Sequence, residues 1–374
     1  MHPRLPGSDA MWEWLRRVFR RATKEAVAEP VRQPIRTDPP KLRVISGGLD
    51  TTSSFEQLLA LTGQEQPGPL ELTPEELERE ETLAAAVLTH FRKNRPAPSA
   101  LPAISLQVLN LVAEPDLSLS QLTRVVSQDP AFSAAILKVA NSPAYMGAQE
   151  IQTLRDAVSR LGLTEVGRVA GMVSARSLFQ PQVRSEFAAF GSRWSDIFSE
   201  SVVAARGAAW LCMRVKRSRS DHAFLAGILH DLGRSVALRS VAALSLHEHC
   251  FELEGTEVDR VVERVHVEIG GEVHVDWSLP RFPTLVAMRH HDLKLPVDGE
   301  YVDVHCVRLA SAMVQYLRQP WRAAQVKAEV DESCAALHLD GFALRSLETV
   351  LRTELESVLA SFHQPPRKRT GSHF

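Results

Sequence analysis

The sequence predicts an all-α protein, and three observations carry that prediction. Apolar runs rich in Leu, Ala and Val recur at helical rather than alternating spacing. Only 6% of the residues are aromatic. From Thr73 onward, helix start and stop signals follow one another closely with no convincing alternating strand between them, the pattern of a compact multi-helix bundle rather than an α/β sheet.

The elements follow in order. Met11 to Ala28 sets Trp14, Leu15, Val18, Phe19 and Ala22 on one face and Arg16, Arg17, Arg20, Arg21 and Lys24 elsewhere, a basic amphipathic helix over 1–28. Such a helix suits peripheral contact with anionic lipid, docking to a partner, or packing on its own chain. Residues 29–72 carry Pro30, Pro34, Pro39, Pro40, Pro67 and Pro69 among Thr, Ser and Gln and read as a flexible linker, with a brief helical turn or two over Ser54–Leu61. Thr73-Pro74-Glu75-Glu76 joins an N-cap, a proline at the first helical position and a capping-box glutamate, so a helix runs to about Lys93.

Ser118 with Gln121 is a second capping box, and Asp129-Pro130 starts a helix that stops at Asn141-Ser142-Pro143. Thr153 opens a helix that Gly162 closes. Far along the chain, Leu347, Leu351, Leu355 and Leu359 recur every four residues, a ridge that docks on the body or serves self-association. Two helices are expected over 326–363, separated near Leu339–Gly341, before a disordered basic tail over 364–374.

With 374 residues and 44% hydrophobic content, the chain holds a sizeable core, and 24% charged residues is ordinary for a soluble protein. A formal net charge of -2 argues against broad electrostatic binding to nucleic acid. No apolar stretch approaches the roughly 18 residues of a membrane span and no secretory signal opens the chain, so a cytoplasmic protein is expected. Cys212, Cys250, Cys306 and Cys334 stand alone, as buried free thiols do.

Chemistry concentrates in one stretch. His230-Asp231 ends an apolar helix, with Gly233 letting the chain turn; His266 sits beside the apolar stripe of a helix over about Glu257–Val275 and points inward. Pro283 suits a first helical position, with His290 and His291 near the end of that helix. Imidazole and carboxylate in such an arrangement can surround a divalent ion such as iron, manganese or zinc.

Three blocks resemble the HDOD family, regulatory domains related to the HD metal-dependent phosphohydrolases. They are LPAISLQVLNLVAEPDLSLSQLTRVVSQDPAFSAAILKVANSPAY over Leu101–Tyr145, IQTLRDAVSRLGLTEVGRVA over Ile151–Ala170, and AGILHDLGR with HVEIGGEVHVDWSLPRFPTLVAMRHH over Ala226–Arg234 and His266–His291. The resemblance spans about Pro96–Leu317, which with the preceding helix gives an expected domain over 73–325, and it implies convergence of His230, Asp231, His266, His290 and His291 in space. It also marks two departures: Glu200 in FSESVVAA stands where the enzymes carry a histidine, and Ser311 in VRLASAM where they carry the final aspartate. A hydroxyl is a poor substitute for a carboxylate in neutralising a divalent cation, so weak ion binding is expected.

Arg234 takes the place of a common phosphohydrolase lysine and is expected to face solvent rather than phosphate. HHDLKLPVDGEY, from His290, is similar only superficially to the cyclic-dinucleotide phosphodiesterase branch: its spacing differs and the final Gly-Tyr-Pro is missing. The resulting expectation is a catalytically silent regulatory protein, with no catalytic residue assigned, that binds protein partners or a small ligand such as a nucleotide at a pocket including Glu200 and Arg234. The alternative is a weak metal-dependent phosphohydrolase with Asp231, His266, His290 and His291 around one ion, assisted by Glu200 and His230. A third reading, membrane recruitment, rests on Trp12–Lys24.

Overall fold

A computed structural model describes residues 53–62, 72–96, 103–141, 145, 150–179, 184–215, 220–246 and 255–362. The amphipathic segment 11–28, most of the linker, Cys250, Ser142-Pro143 and the tail from 363 lie outside the described residues. Among those described, the chain is helical with no strand, and no helix is long and apolar enough to cross a membrane.

The opening half of the family-like region is a layer of four helices, α3 (Ala103–Val112), α4 (Leu119–Val126), α5 (Pro130–Ala140) and α6 (Leu154–Phe179). Ser118 and Gln121 cap α4 reciprocally, as read from sequence. Gly162, at φ 74° and ψ 171°, leaves the helical region and closes the segment opened at Thr153, as read from sequence, and a second segment of α6 follows directly. Behind this layer, the long α7 (Arg184–Val215) is the central post, against which α8 (Ser220–Leu229), α9 (Leu232–Leu246), α12 (Tyr301–Arg318) and α14 (Gly341–Phe362) pack. The helices α10 (Gly255–Asp276) and α11 (Arg281–Arg289) complete the body, and α13 (Ala323–Leu337) covers α12.

Close backbone approach fixes the geometry near the site. A Cβ on Gly227 would lie 2.5 Å from Ala205 Cα, and one on Gly233 would lie 2.0 Å from the His266 carbonyl oxygen and 2.8 Å from Gly270 Cα. Gly233 is therefore needed for the crossing of α9 with α10, not for the sharp turn expected from sequence; among the described residues the positive-φ glycines are Gly162 and Gly299. Pro283 occupies the third helical position of α11 rather than the first, still within the turn whose N–H groups have no intrahelical acceptor.

α2 (Pro74–Lys93) opens with the Thr73–Glu76 capping box and lies along α10. Arg79 pairs with Glu257 at 2.7 Å, Arg260 with Glu80 at 2.9 Å, Arg264 with Glu81 at 2.9 Å and Arg95 with Asp276 at 2.8 Å. The exposed Arg264–Glu81 pair contributes roughly 0–1 kcal/mol, whereas burying Leu83, Val87 and Phe91 contributes about 1.5–3 kcal/mol apiece; Glu80 and Glu257 are themselves buried and need their arginines.

The segment expected as linker contains a docked helix, α1 (Ser54–Thr62). Phe55 packs edge-on against Tyr316, with ring centroids 5.3 Å apart, its N–H donates to Asp331 at 3.0 Å, and Gln57 accepts from the Gly341 N–H at 3.1 Å. Phe55→Ala is expected to cost about 3–5 kcal/mol in urea denaturation; a shift below about 1 kcal/mol would show that α1 is not part of the folded body. Of the leucine ridge, Leu347 and Leu351 are buried and seated over Gly207 of α7, Leu355 is half-buried against the core, and the Leu359 side chain lies outside what the structure describes. Cys212, Cys306 and Cys334 are buried free thiols, as expected.

Candidate metal centre

Three short stretches deliver the centre: the α8–α9 junction brings His230 and Asp231, the middle of α10 brings His266, and the end of α11 brings His290, its C-cap, and His291. Each of the first three histidines turns Nδ1 onto a backbone carbonyl: His230 to Gly227 at 2.8 Å, His266 to Glu263 at 2.6 Å and His290 to Val286 at 3.0 Å. A carbonyl only accepts, so Nδ1 carries the proton and Nε2 presents a lone pair. His291 is oriented by Glu329, 2.6 Å from its Nδ1.

Those lone pairs converge. His266 Nε2 lies 3.4 Å from His290 Nε2 and 3.2 Å from His291 Nε2, while Asp231 Oδ1 lies 3.5 Å from both His266 Nε2 and His290 Nε2. Donors about 2.1 Å from a shared ion and roughly a right angle apart lie about 3.0–3.4 Å from one another, so the spacing suits one divalent cation. Asp231 Oδ1 is buried and has no hydrogen-bond partner, a condition that costs several kcal/mol for a charged oxygen unless a cation meets it. Two overlapping sets thus fit an ion, His266 with His290 and His291, and His230 with Asp231 and His290; an ion there would act as a Lewis acid, and imidazoles with a carboxylate suit iron, manganese or zinc.

The two departures from the enzyme pattern have distinct effects. The Ser311 hydroxyl lies 2.9 Å from His230 Nε2 and donates to its lone pair, in competition with an ion for that nitrogen. Glu200 does not join the imidazoles. It meets Arg234 at 3.1 Å and Arg318 at 3.2 Å. Arg234 itself is buried at 8% exposure, not solvent-facing: its guanidinium also meets Asp231 at 3.4 Å and Glu263 at 3.5 Å, and a cation among three acidic groups is held from solvent by their charge. Beside this cluster lies a cavity of about 200 Å³, with Glu200, Arg234, Arg318, Arg322, Arg193 and Asp259 in its wall.

Electrostatics sort the rings. Burial pulls the His266 imidazolium down to about 3 and that of His230 to about 4, so both stay neutral and able to offer a lone pair. Burial opposes a charge on His291 too, but the Glu329 carboxylate carries it up to about 9, making it the ring that favours positive charge. Burial alone would protonate Asp231; His230, His290 and Arg234 hold its carboxyl well below the usual range. Burial pushes the Glu200 carboxyl up against the pull of Arg234 and Arg318.

Sequence reasoning missed Glu263 and Glu329. Glu263 precedes His266 by three residues, and that helical neighbourhood was a signal available in the sequence. Glu329 lies 38 residues from His291, and nothing local points to it.

A family model for the HDOD domain matches residues 99–293. Among solved structures, the chain is similar to an HDOD domain protein of unknown function from Geobacter sulfurreducens, at 20% identity and a TM-score of 0.54 over 76% of this chain and 99% of that one. It is similar to a candidate metal-dependent phosphohydrolase from Shewanella amazonensis SB2B, at 24% identity and a TM-score of 0.55 over 76% of this chain and all (100%) of that one. A candidate signal transduction protein from Marinobacter aquaeolei VT8 shares 20% identity at a TM-score of 0.50, over 83% of this chain and 66% of its own. At these identities the likeness is one of fold. No curated protein matches the chain.

Proposed function

The chain belongs to the HDOD domain family, and from that premise we propose that it is a non-catalytic regulatory protein of bacterial signal transduction whose His–Asp centre holds one divalent ion as a structural pin. Closure of the centre carries this reading. Asp231, His266 and His290 are only 2%, 2% and 1% exposed, whereas a hydrolytic ion needs an open position facing water and substrate. An ion there ties the α8–α9 junction to α10 and α11, so its presence sets how those helices pack, and a binding partner reads that packing. The partner is a protein or a small ligand such as a nucleotide, and the working compartment is the cytoplasm, with peripheral membrane contact through residues 11–28 tested by liposome co-sedimentation before and after their removal.

The test joins two measurements on the purified full chain. Elemental analysis is expected to find about one equivalent of iron, manganese or zinc, and with added Mn(II) the protein is expected to cleave p-nitrophenyl phosphate and bis(p-nitrophenyl) phosphate no faster than Asp231→Ala. Turnover that disappears in Asp231→Ala would replace the regulator with a phosphohydrolase. One observation favours that second reading: the His291 side chain is 25% exposed and opens one edge of the centre.

A further inference from the structure

A second cavity, of about 610 Å³, lies where the end of α3 meets the starts of α8, α11 and α12. Small-molecule sites fall in the same range, about 300–1,000 Å³. Much of its lining is apolar: Leu225, Leu279, Pro280 and Pro283 are buried side chains in its wall. Beside them the Phe282 ring of α11 and the His222 imidazole of α8 stand within 29° of parallel, with centroids 6.1 Å apart. Such a wall suits a flat ring.

The charged part of the lining decides the sign of what fits. Glu114, Glu300 and Asp303 bring three carboxylates against one guanidinium, Arg281, which already meets Glu300 at 3.1 Å. Carboxylates only accept hydrogen bonds, and they repel phosphate and other anions. Acceptors beside a flat apolar wall therefore select a planar body that carries a positive, N–H-bearing group. Two helices lead from this cavity to the metal centre. α8 runs from His222 at the cavity to Leu229, next to His230, and α11 runs from Arg281 at the cavity to Arg289, next to His290. Each spans roughly 15 Å. His274 of α10 joins them, its Nε2 donating to the Leu229 carbonyl at 3.1 Å and its Nδ1 lying 3.3 Å from the Thr284 hydroxyl.

We propose that this cavity is a binding site for a small planar organic cation, an aromatic amine or amidine, and that its occupancy is felt at the ion through α8 and α11. The flat body lies on Phe282 and His222, and the positive group meets Glu114 and Asp303. A ligand that moves either ring moves a helix whose far end adjoins His230 or carries His290. Ligand and ion then change each other's affinity by the same factor. The coupling rests on the one-ion reading above; the site itself does not.

The experiment is calorimetry on the full-length protein with tryptamine as the planar cation and indole-3-acetate as its anionic counterpart, each with and without Mn(II). Tryptamine is expected to bind with a Kd of about 1 mM or tighter, and about tenfold or more tighter than indole-3-acetate. Ala113→Trp, which fills the cavity from the end of α3, is expected to abolish that binding, and Glu114→Gln to weaken it about threefold. No binding of tryptamine, equal binding of the two indoles, or undiminished binding by a folded Ala113→Trp overturns the site. Where that variant does not fold, Phe282→Leu takes its place: affinity about fivefold weaker supports the site, and unchanged affinity overturns it. Mn(II) is expected to shift the tryptamine Kd about fivefold or more, and equal affinity of the ion-loaded and ion-free protein overturns the coupling. A chain that takes up no Mn(II) ends the one-ion reading, and with it the coupling, while the tryptamine measurements still decide the site.

Discussion

Gly233→Ala is expected to cost more than about 4 kcal/mol, or to leave no folded protein at all. The added methyl carbon would sit 2.0 Å from the His266 carbonyl oxygen, 2.7 Å from Gly270 N and 2.8 Å from Gly270 Cα, all of them backbone atoms that no rotamer change can move aside. The helices α9 and α10 would have to separate, and His266 would leave the centre with its backbone. Gly162→Ala is the control. Gly162, at φ 74° and ψ 171°, has nothing within 4 Å of a Cβ, so only backbone strain of about 1–3 kcal/mol is at stake. Comparable urea midpoints for the two variants would mean that α9 and α10 do not cross as closely as described.

Asp231→Ala is expected to abolish the link between divalent ion and stability. For wild type, an ion at one hundred times its dissociation constant adds about 2.7 kcal/mol to the unfolding free energy. The variant should gain nothing, because it loses the carboxylate whose Oδ1 stands 3.5 Å from both His266 Nε2 and His290 Nε2 and would neutralise the ion there. Without ion, the variant should also be less stable by up to about 3 kcal/mol, since a buried carboxylate facing Arg234 and His230 is removed. Denaturation with and without Mn(II) checks both. An undiminished ion-dependent gain in the variant would place the ion elsewhere.

What was legible in the sequence was what is local. The Thr73–Glu76 and Ser118–Gln121 caps close on themselves within one turn, so spacing alone reveals them. His266 was readable as inward because its helical neighbours are apolar, and the leucine ridge because its period is helical. What escaped depends on partners far along the chain. Arg234 looked like a surface residue because the carboxylates that bury it, Glu200 and Glu263, lie 34 residues before and 29 after it. Phe55 looked like linker because Tyr316 is more than two hundred residues away. The role of Gly233 was misread for the same reason: a glycine in a turn and a glycine at a helix crossing are identical in one dimension, and only the position of Gly270 tells them apart. The loss of a carboxylate at Ser311 was legible, but not that its hydroxyl would bond His230 Nε2.

The helix Pro74–Lys93 stands outside the 99–293 match yet covers the flank of the helix that carries His266. Cutting the chain to the matched residues would uncover the apolar surface beneath Leu83, Val87 and Phe91, strip Glu80 from Arg260 and take Pro96 from the Trp277 indole, whose N–H it accepts at 3.0 Å. A fragment trimmed that way is expected to aggregate, and an assay on it would report a damaged scaffold in place of the protein's own behaviour. The inherited unit and the cooperative unit are different lengths of the same chain, and experiments on the centre belong to the longer one.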